Sequence, residues 1–569
     1  MSGVRAWTAL SASLLMALGC SASIDGDAGS HSKAGSTGNP SGGSSGVAGG
    51  PNTSTLGRDA VAQRCETSQL AAPQLRRLTA RELERTLRDV FPSLGVGWAG
   101  VRLGADPVSS LGFSNDAHTL VVASQTAQEL LRSAEDVATA LTTGSALAEL
   151  QPCAAEAAPG RACADQLVQS VGARLFRRAV SAEEAADYGA LYDGVAAKSD
   201  FATGARWLLV AMIQSPSTVY RSELGVAGGA GRQLTPEELA SELSYTYGGT
   251  APSAELLAAA RRGDFATPAA RVAKAKELLA TAYGREQLHQ FLAEWSGYGR
   301  VASKTKTTVA NFDVLRDSML QETKLFLNEA VVTRQGGVKE LLTASYTFVD
   351  SSLAALYGFG TASGTGFALA QRPAGQGLGL LAQGSILAGS AHSDASSPTL
   401  RGLVVYEKLL CHQKPKPPPN IPAIEAPMPG GKTTRQRYES SHGVNPSCKA
   451  CHQFFDPIGF GFEHFDEAGR YRADENGSPL DTSGQVLSYP DGTTAFELSG
   501  LEDLAGKLAD RAEVADCVSG LAAAYAFADG GGRTCLAEEA RSAFARGELG
   551  VLDYFAELAA APSFAERAP

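Results

Sequence analysis

A chain of 569 residues is long enough to bury several hydrophobic cores, and a length of this order corresponds to about three or four domains. Its 60 acidic residues outnumber 49 Lys and Arg, for a formal net charge of −11. The basic residues are dispersed rather than gathered into a stripe, which excludes a nucleic-acid partner, because such a surface repels phosphates.

At the N-terminus Arg5 supplies a positive flank, residues 6–18 form an apolar core, and Ala17-Leu18-Gly19-Cys20 ends it. This is the order of an export signal. A cysteine directly after a small residue resembles a bacterial lipoprotein cleavage box, although Leu usually stands where Ala17 is. Residues 1–19 are therefore read as signal and Cys20 as the lipidation site. The apolar core is too short to span a bilayer, so the mature protein is expected to be exported and held to a membrane by lipid, in the periplasm or at the cell surface. Residues 20–57, rich in Gly and Ser, cannot bury enough apolar area to fold and read as a tether. Within them Gly42, Ser44 and Gly46 match a nucleophile-elbow pattern, but without the flanking strand and helix that it needs.

The body reads as mainly α: a helical domain over 58–145, a small one over 146–200 with Cys153 and Cys163, and a central one over 201–370. A segment over 371–475 contains one C-x-x-C-H, Cys448 to His452, and is read on that motif as a cytochrome-c-like domain; a short β-hairpin with further helices follows over 476–569. Helix starts are clearly written. Thr79 with Glu82, Ser181 with Glu184 and Thr235 with Glu238 have capping-box spacing, Leu78 and Leu83 suit a hydrophobic staple, and Pro236 takes the favoured first position. Leu288, Phe291, Leu292 and Trp295 mark an apolar helix face, with His289 beside it as a packed histidine. Lys414 to Pro419, with Pro422, Pro427 and Pro429, reads as an extended strap. Asp474-Glu475-Asn476-Gly477 reads as a turn rather than a calcium loop, since it lacks the alternating ligands. Around Pro490-Asp491-Gly492, residues 485–489 and 493–496 suit a small hairpin.

The chemistry concentrates in Cys448-Lys449-Ala450-Cys451-His452. The C-x-x-C-H spacing is that of covalent haem c attachment: two thiols on one side of a turn meet the vinyl groups, and the adjacent imidazole binds iron. Cys448 and Cys451 would carry the thioethers and His452 would be the proximal ligand. The alternative is a disulfide or free dithiol; half of a zinc site lacks a second pair with finger spacing. Of the nine cysteines, six then remain besides Cys20 and the motif pair, an even number that suits disulfides in an oxidising compartment. Cys153–Cys163 and Cys517–Cys535 are the nearest pairs, and Cys65–Cys411 follows by elimination.

The chain resembles a family of predicted secreted, multi-domain planctomycete-cytochrome-like proteins, also common in myxobacteria. The resemblance is carried by residues 75–83, 174–178, 211–216 and 238–244, then by Ser397-Pro-Thr-Leu-Arg-Gly402, Asn445 to His452, Asp456-Pro-Ile-Gly-Phe460, 463–466 and 469–472. It implies an exported protein with a cytochrome-like segment and helical companions of unassigned function. One departure is informative: the family often has Met three residues after the motif histidine, where this chain has Phe455, which cannot ligate iron.

The sixth iron position is left among Met428, His392, His442, His464 and water; His392 and His442 match family positions. Arg470 and Arg472 could pair with haem propionates, or with Asp456, Glu463 or Asp466. Phe454, Phe455, Phe460, Phe462 and Phe465 suit either the wall of a flat cofactor or a small core. Two function classes follow. One is a lipid-anchored mono-haem electron carrier whose helical domains dock a redox protein. The other is a non-redox surface protein that binds a polymer or protein, its motif structural. A peroxidase-like enzyme is a weaker third, for want of a distal acid and base.

Overall fold

The computed structural model describes residues 70–569 apart from 96, 229–230, 361–365, 416–425, 429 and 529–537. The expected signal, Cys20, the tether, Cys65, most of the proline strap and Cys535 lie outside the described residues.

Helices dominate, and the described strands form only short pairs and one small three-stranded sheet. The three expected capping boxes open helices Ala80–Val90 (α1), Ala182–Ala196 and Pro236–Leu243. At the first, Thr79 Oγ1 accepts from the Glu82 amide at 3.1 Å and the Glu82 carboxylate accepts from the Thr79 amide at 2.8 Å. A fourth box, Thr433 with Gln436, starts the short helix that leads into the C-x-x-C-H region.

Two cores organise these helices. The first gathers α1 with Ser124–Leu141 (α2), Arg161–Phe176 (α3) and Phe201–Gln214 (α4) around Leu87, Val137, Leu167 and Leu208. The segments expected as separate domains over 58–145 and 146–200 thus contribute to one core, together with residues up to Val219. The strand Gln74–Arg77 (β1) pairs antiparallel with Tyr220–Glu223 (β2), and behind this ribbon Arg567, near the C-terminus, donates to Glu223 at 2.7 Å. The second core draws Phe113 together with residues from 240 to 564 and is stitched by aromatic rings: Phe291 lies 5.4 Å from Tyr525 and 5.5 Å from Phe555. His289 packs at the edge of this core with Nε2 2.6 Å from the Tyr298 hydroxyl, and burial pushes its pKa down to about 4.

Cys153 and Cys163 form a disulfide, with Cα atoms 5.8 Å apart. The other two expected pairings do not form: Cys411 is joined to Cys517. The reason is packing rather than sequence distance. Helix Ala512–Phe527 lies against the C-terminal end of helix Pro398–Lys408 (α5), where the Lys408 carbonyl accepts from the Trp295 indole at 2.9 Å, and this brings the two cysteines to a Cα separation of 5.5 Å. The expected hairpin pairs Ser483–Leu487 with Thr494–Ser499. Asn476 and Gly477 both take positive φ, 55° and 77°, between the paired Asp474–Glu475 and Ser478–Pro479, the turn geometry that Asn-Gly favours. No described helix is long and apolar enough to cross a membrane.

Candidate functional site

The motif occupies a short helix, Pro446–His452 (α6), with Pro446 at its first position and Asn445 as cap, its side chain accepting from the Ser447 amide at 3.0 Å. Three residues apart on a helix, Cys448 and Cys451 share a face. Neither is in a disulfide and both are half-buried. Cys451 packs against a cluster of Leu403, Tyr406, Phe454, Phe455 and Leu487.

His452 is held by a carboxylate one turn further on. Its Nδ1 lies 3.1 Å from both oxygens of Asp456. The same carboxylate takes His442 Nδ1 on Oδ2 at 2.8 Å and the Thr399 hydroxyl on Oδ1 at 2.6 Å. An ionised carboxylate only accepts, so Nδ1 is the protonated nitrogen in both rings and the Nε2 lone pairs are free. Among the described residues no hydrogen bond engages either Nε2. Burial acts to raise the Asp456 pKa, but the hydrogen bonds from His442 and His452 outweigh it and hold the carboxyl below its usual range.

Close backbone contact puts Asp456 there. Helix Asp456–Phe460 (α7) crosses α5, and two glycines let the backbones touch: a Cβ on Gly402 would lie 1.9 Å from the Phe455 carbonyl oxygen, and one on Gly459 would lie 1.9 Å from that of Pro398. Ser397 caps α5 by accepting from the Leu400 amide and is 3.1 Å from the Tyr438 hydroxyl. Fully buried Arg401 then fastens the turn after α7, donating to the carbonyls of Phe465 at 2.6 Å and Phe462 at 3.3 Å. Burial lowers the Arg401 pKa to about 10, with buried Glu463 opposing the shift. Within Ser397-Pro-Thr-Leu-Arg-Gly402, Ser397 therefore starts α5, while Thr399, Arg401 and Gly402 each hold α7 in a different way.

The expected site residues are distributed unevenly. His442 is brought to His452, but beside it: the ring centroids are 3.7 Å apart, whereas two imidazoles on opposite sides of one metal ion stand roughly 6 Å apart, given metal–nitrogen bonds of about 2 Å. His464 turns away, its Nδ1 donating to the Arg472 carbonyl at 2.9 Å and its ring stacking on Tyr471. His392 is exposed on the loop before α5, where its carbonyl accepts from Lys306 at 2.7 Å. Met428 is 58% exposed, and its only described bond is a backbone carbonyl accepting from Gly431. Of the two arginines, Arg470 pairs with Asp466 at 2.8 Å, and Arg472 pairs with Glu463 and Glu475 at 3.1 Å each, so both have carboxylate partners within the chain. The five phenylalanines are all buried in the protein's own packing: Phe454 and Phe455 against α5, Phe462 and Phe465 in the large core. Sequence reasoning did not single out Thr399, Arg401 or the hub role of Asp456. The fixed spacing of the two blocks that contain them was the available signal.

The donor set suits a c-type haem on its chemistry: two uncommitted thiols on one helical face, and an imidazole whose Nδ1 is anchored while Nε2 is free. His442, His452 and Asp456 also offer ligand atoms within 4.8 Å of one another, a two-histidine, one-carboxylate set that small transition-metal ions accept.

Four family models match the chain, each described as a protein of unknown function: PSD3 (DUF1587) over residues 76–143, PSD5 (DUF1595) over 163–223, PSD4 (DUF1592) over 234–359 and PSCyt3 (DUF1588) over 378–475. No curated protein and no solved structure is similar enough to match. The PSCyt3 region spans Ser397 to Arg472 and so contains the whole Thr399–His442–His452–Asp456 cluster. With four matched regions in the expected order, the chain belongs to the multi-domain planctomycete-cytochrome-like family, whose function is unassigned.

Proposed function

We propose that the protein is an exported, lipid-anchored c-type cytochrome that carries one haem, attached through Cys448 and Cys451 with His452 as proximal ligand, and that it transfers electrons to a redox protein partner. One observation carries this reading: α6 presents two thiols outside any disulfide beside an imidazole whose Nδ1 is tied to buried Asp456 and whose Nε2 has no hydrogen bond among the described residues. A lone divalent ion on His442, His452 and Asp456 would give the thiols no role, so haem accounts for more of the residues. When bound, the haem iron supplies a one-electron couple. The chain's own residues would then orient the ligand and shield one side of it: Asp456 fixes the His452 ring, and Tyr406, Phe454 and Phe455 keep water from the Cys451 side. Lipidation at Cys20 would confine the protein to a membrane surface.

Expression of the full chain in cells with haem-maturation machinery tests the reading. A covalent haem band in a denaturing gel and the matching mass increase are expected, with the double thioether lost in Cys451→Ser. A colourless chain of unmodified mass overturns it and leaves the non-redox surface protein, in which the motif is structural.

A further inference from the structure

The Asp456 carboxylate has four hydrogen-bond contacts with three donors, and their lengths are unequal. Thr399 on Oδ1 and His442 on Oδ2 are close, at 2.6 and 2.8 Å, while His452 is shared between both oxygens at 3.1 Å. A buried carboxylate that accepts the Nδ1 proton of a metal-bound histidine gives the ring partial imidazolate character, makes Nε2 a stronger donor and favours the oxidised metal. Donors that compete for the same carboxylate drain charge from it and weaken that effect.

We infer that Asp456 is a positioning residue that sets the iron potential through His452, and that Thr399 and His442 are opposing controls acting through the same carboxylate. The inference rests on the haem reading and goes beyond it, because it assigns a role to three residues that are neither thioether cysteines nor the proximal ligand in that reading. It also gives the His442 placement a purpose: set beside His452 with the two rings tilted by 44° and bonded to Asp456, it tunes the proximal side. Geometry restricts the effect to this face, since neither of the other candidate histidines is bonded to Asp456: His464 is committed to the Arg472 carbonyl and His392 sits on an exposed loop.

The test is a redox titration of the full-length, haem-loaded chain and its variants. Asp456→Asn replaces the anion with a neutral amide of the same shape. The midpoint is expected to rise by an amount equivalent to about a tenfold shift in the reduction equilibrium, about 59 mV for one electron. Asp456→Glu, which restores the charge, should bring it part of the way back. Thr399→Val and His442→Phe each free the carboxylate from a competitor and should lower the midpoint several-fold in the same equilibrium. A purely structural hub predicts otherwise: each substitution would loosen the site and move the midpoint in one common direction. Haem-loaded variants that all shift alike, or none of which shifts, overturn the inference while leaving covalent attachment intact. If Asp456→Asn fails to fold, Thr399→Val and His442→Phe decide the matter, and a midpoint that rises or stays unchanged in both is the overturning result. A wild-type chain without covalent haem overturns the haem reading and this inference together.

Discussion

Substituting Gly402 by alanine should destabilise the protein, against the ordinary preference of helices. In the middle of an exposed helix, Ala is better than Gly by about 1 kcal/mol. At Gly402 the added Cβ would sit 1.9 Å from the Phe455 carbonyl oxygen, 2.7 Å from its carbon and 3.2 Å from the Gly459 nitrogen. These are backbone atoms, and the oxygen already accepts from the Gly459 amide at 3.0 Å, so no flexible side chain can give way. Relief requires α5 and α7 to separate by more than roughly 1 Å. Overpacking of this kind costs about 1–3 kcal/mol, sometimes more, which exceeds the helical gain. The same separation stretches the 2.6 Å bond from Thr399, one turn before Gly402, to Asp456. Gly506 is the control: it lies inside helix Gly500–Ala509 with nothing within 4 Å of its added Cβ, and Gly506→Ala should stabilise by about 0.5–1 kcal/mol. Denaturant unfolding of both variants, with alkylation of Cys448 and Cys451 in the haem-free chain as a local probe, gives the two signs directly. A Gly402→Ala protein as stable as wild type, with unchanged thiol reactivity, would refute the close-approach argument.

The two disulfides should differ in worth, because Cys411–Cys517 closes a sequence separation of 106 and Cys153–Cys163 one of 10. Loop-closure entropy gives about 4.7 kcal/mol for the first and about 3 kcal/mol or less for the second, so paired serine variants compared by denaturation should lose more stability at 411/517; equal losses would count against the entropic account. His289 is neutral in the folded state down to about pH 4, while in the unfolded chain it protonates near the ordinary imidazole value of 6.5. Its folded pKa is lowered, the unfolded state binds more protons between these values, and stability therefore falls as pH drops through that window, by roughly 2–3 kcal/mol. His289→Gln should remove that share of the acid sensitivity when unfolding is compared at pH 7 and pH 4.5, and an unchanged slope would place the histidine in solvent. Replacing Arg401 by Met leaves the carbonyls of Phe462, Phe465 and Asp466 without their buried donor and Glu463 with a weaker set of partners; a loss on the order of 3 kcal/mol is expected in denaturation. A loss of under about 1 kcal/mol would show that the turn after α7 holds itself.

Local signals were legible wherever the relevant physics is local. Thr79, Ser181 and Thr235 announce helix starts because a cap and its partner are only three residues apart, and Asn476-Gly477 announces its turn because both positions need positive φ. The Cys448–Cys451–His452 spacing is local in the same sense. The disulfides mark the limit. Cys153–Cys163 joins near neighbours, but Cys411 and Cys517 meet only because two helices far apart in sequence share the large core, so arithmetic on cysteine positions selected the wrong partners for them.

The candidate site divides along the same line. Sequence alone determined a mainly helical body, the family, and which two thiols and which imidazole stand together, since these depend on composition, ordered blocks and residues within one helical turn. Tertiary structure alone decided that Asp456 faces His452, that His442 lies beside that ring rather than across from it, and that the phenylalanines fill the protein's own core. Those relations depend on how α5, α6 and α7 cross, and the crossing is set by Gly402, Gly459 and Arg401 through contacts between segments more than 50 residues apart.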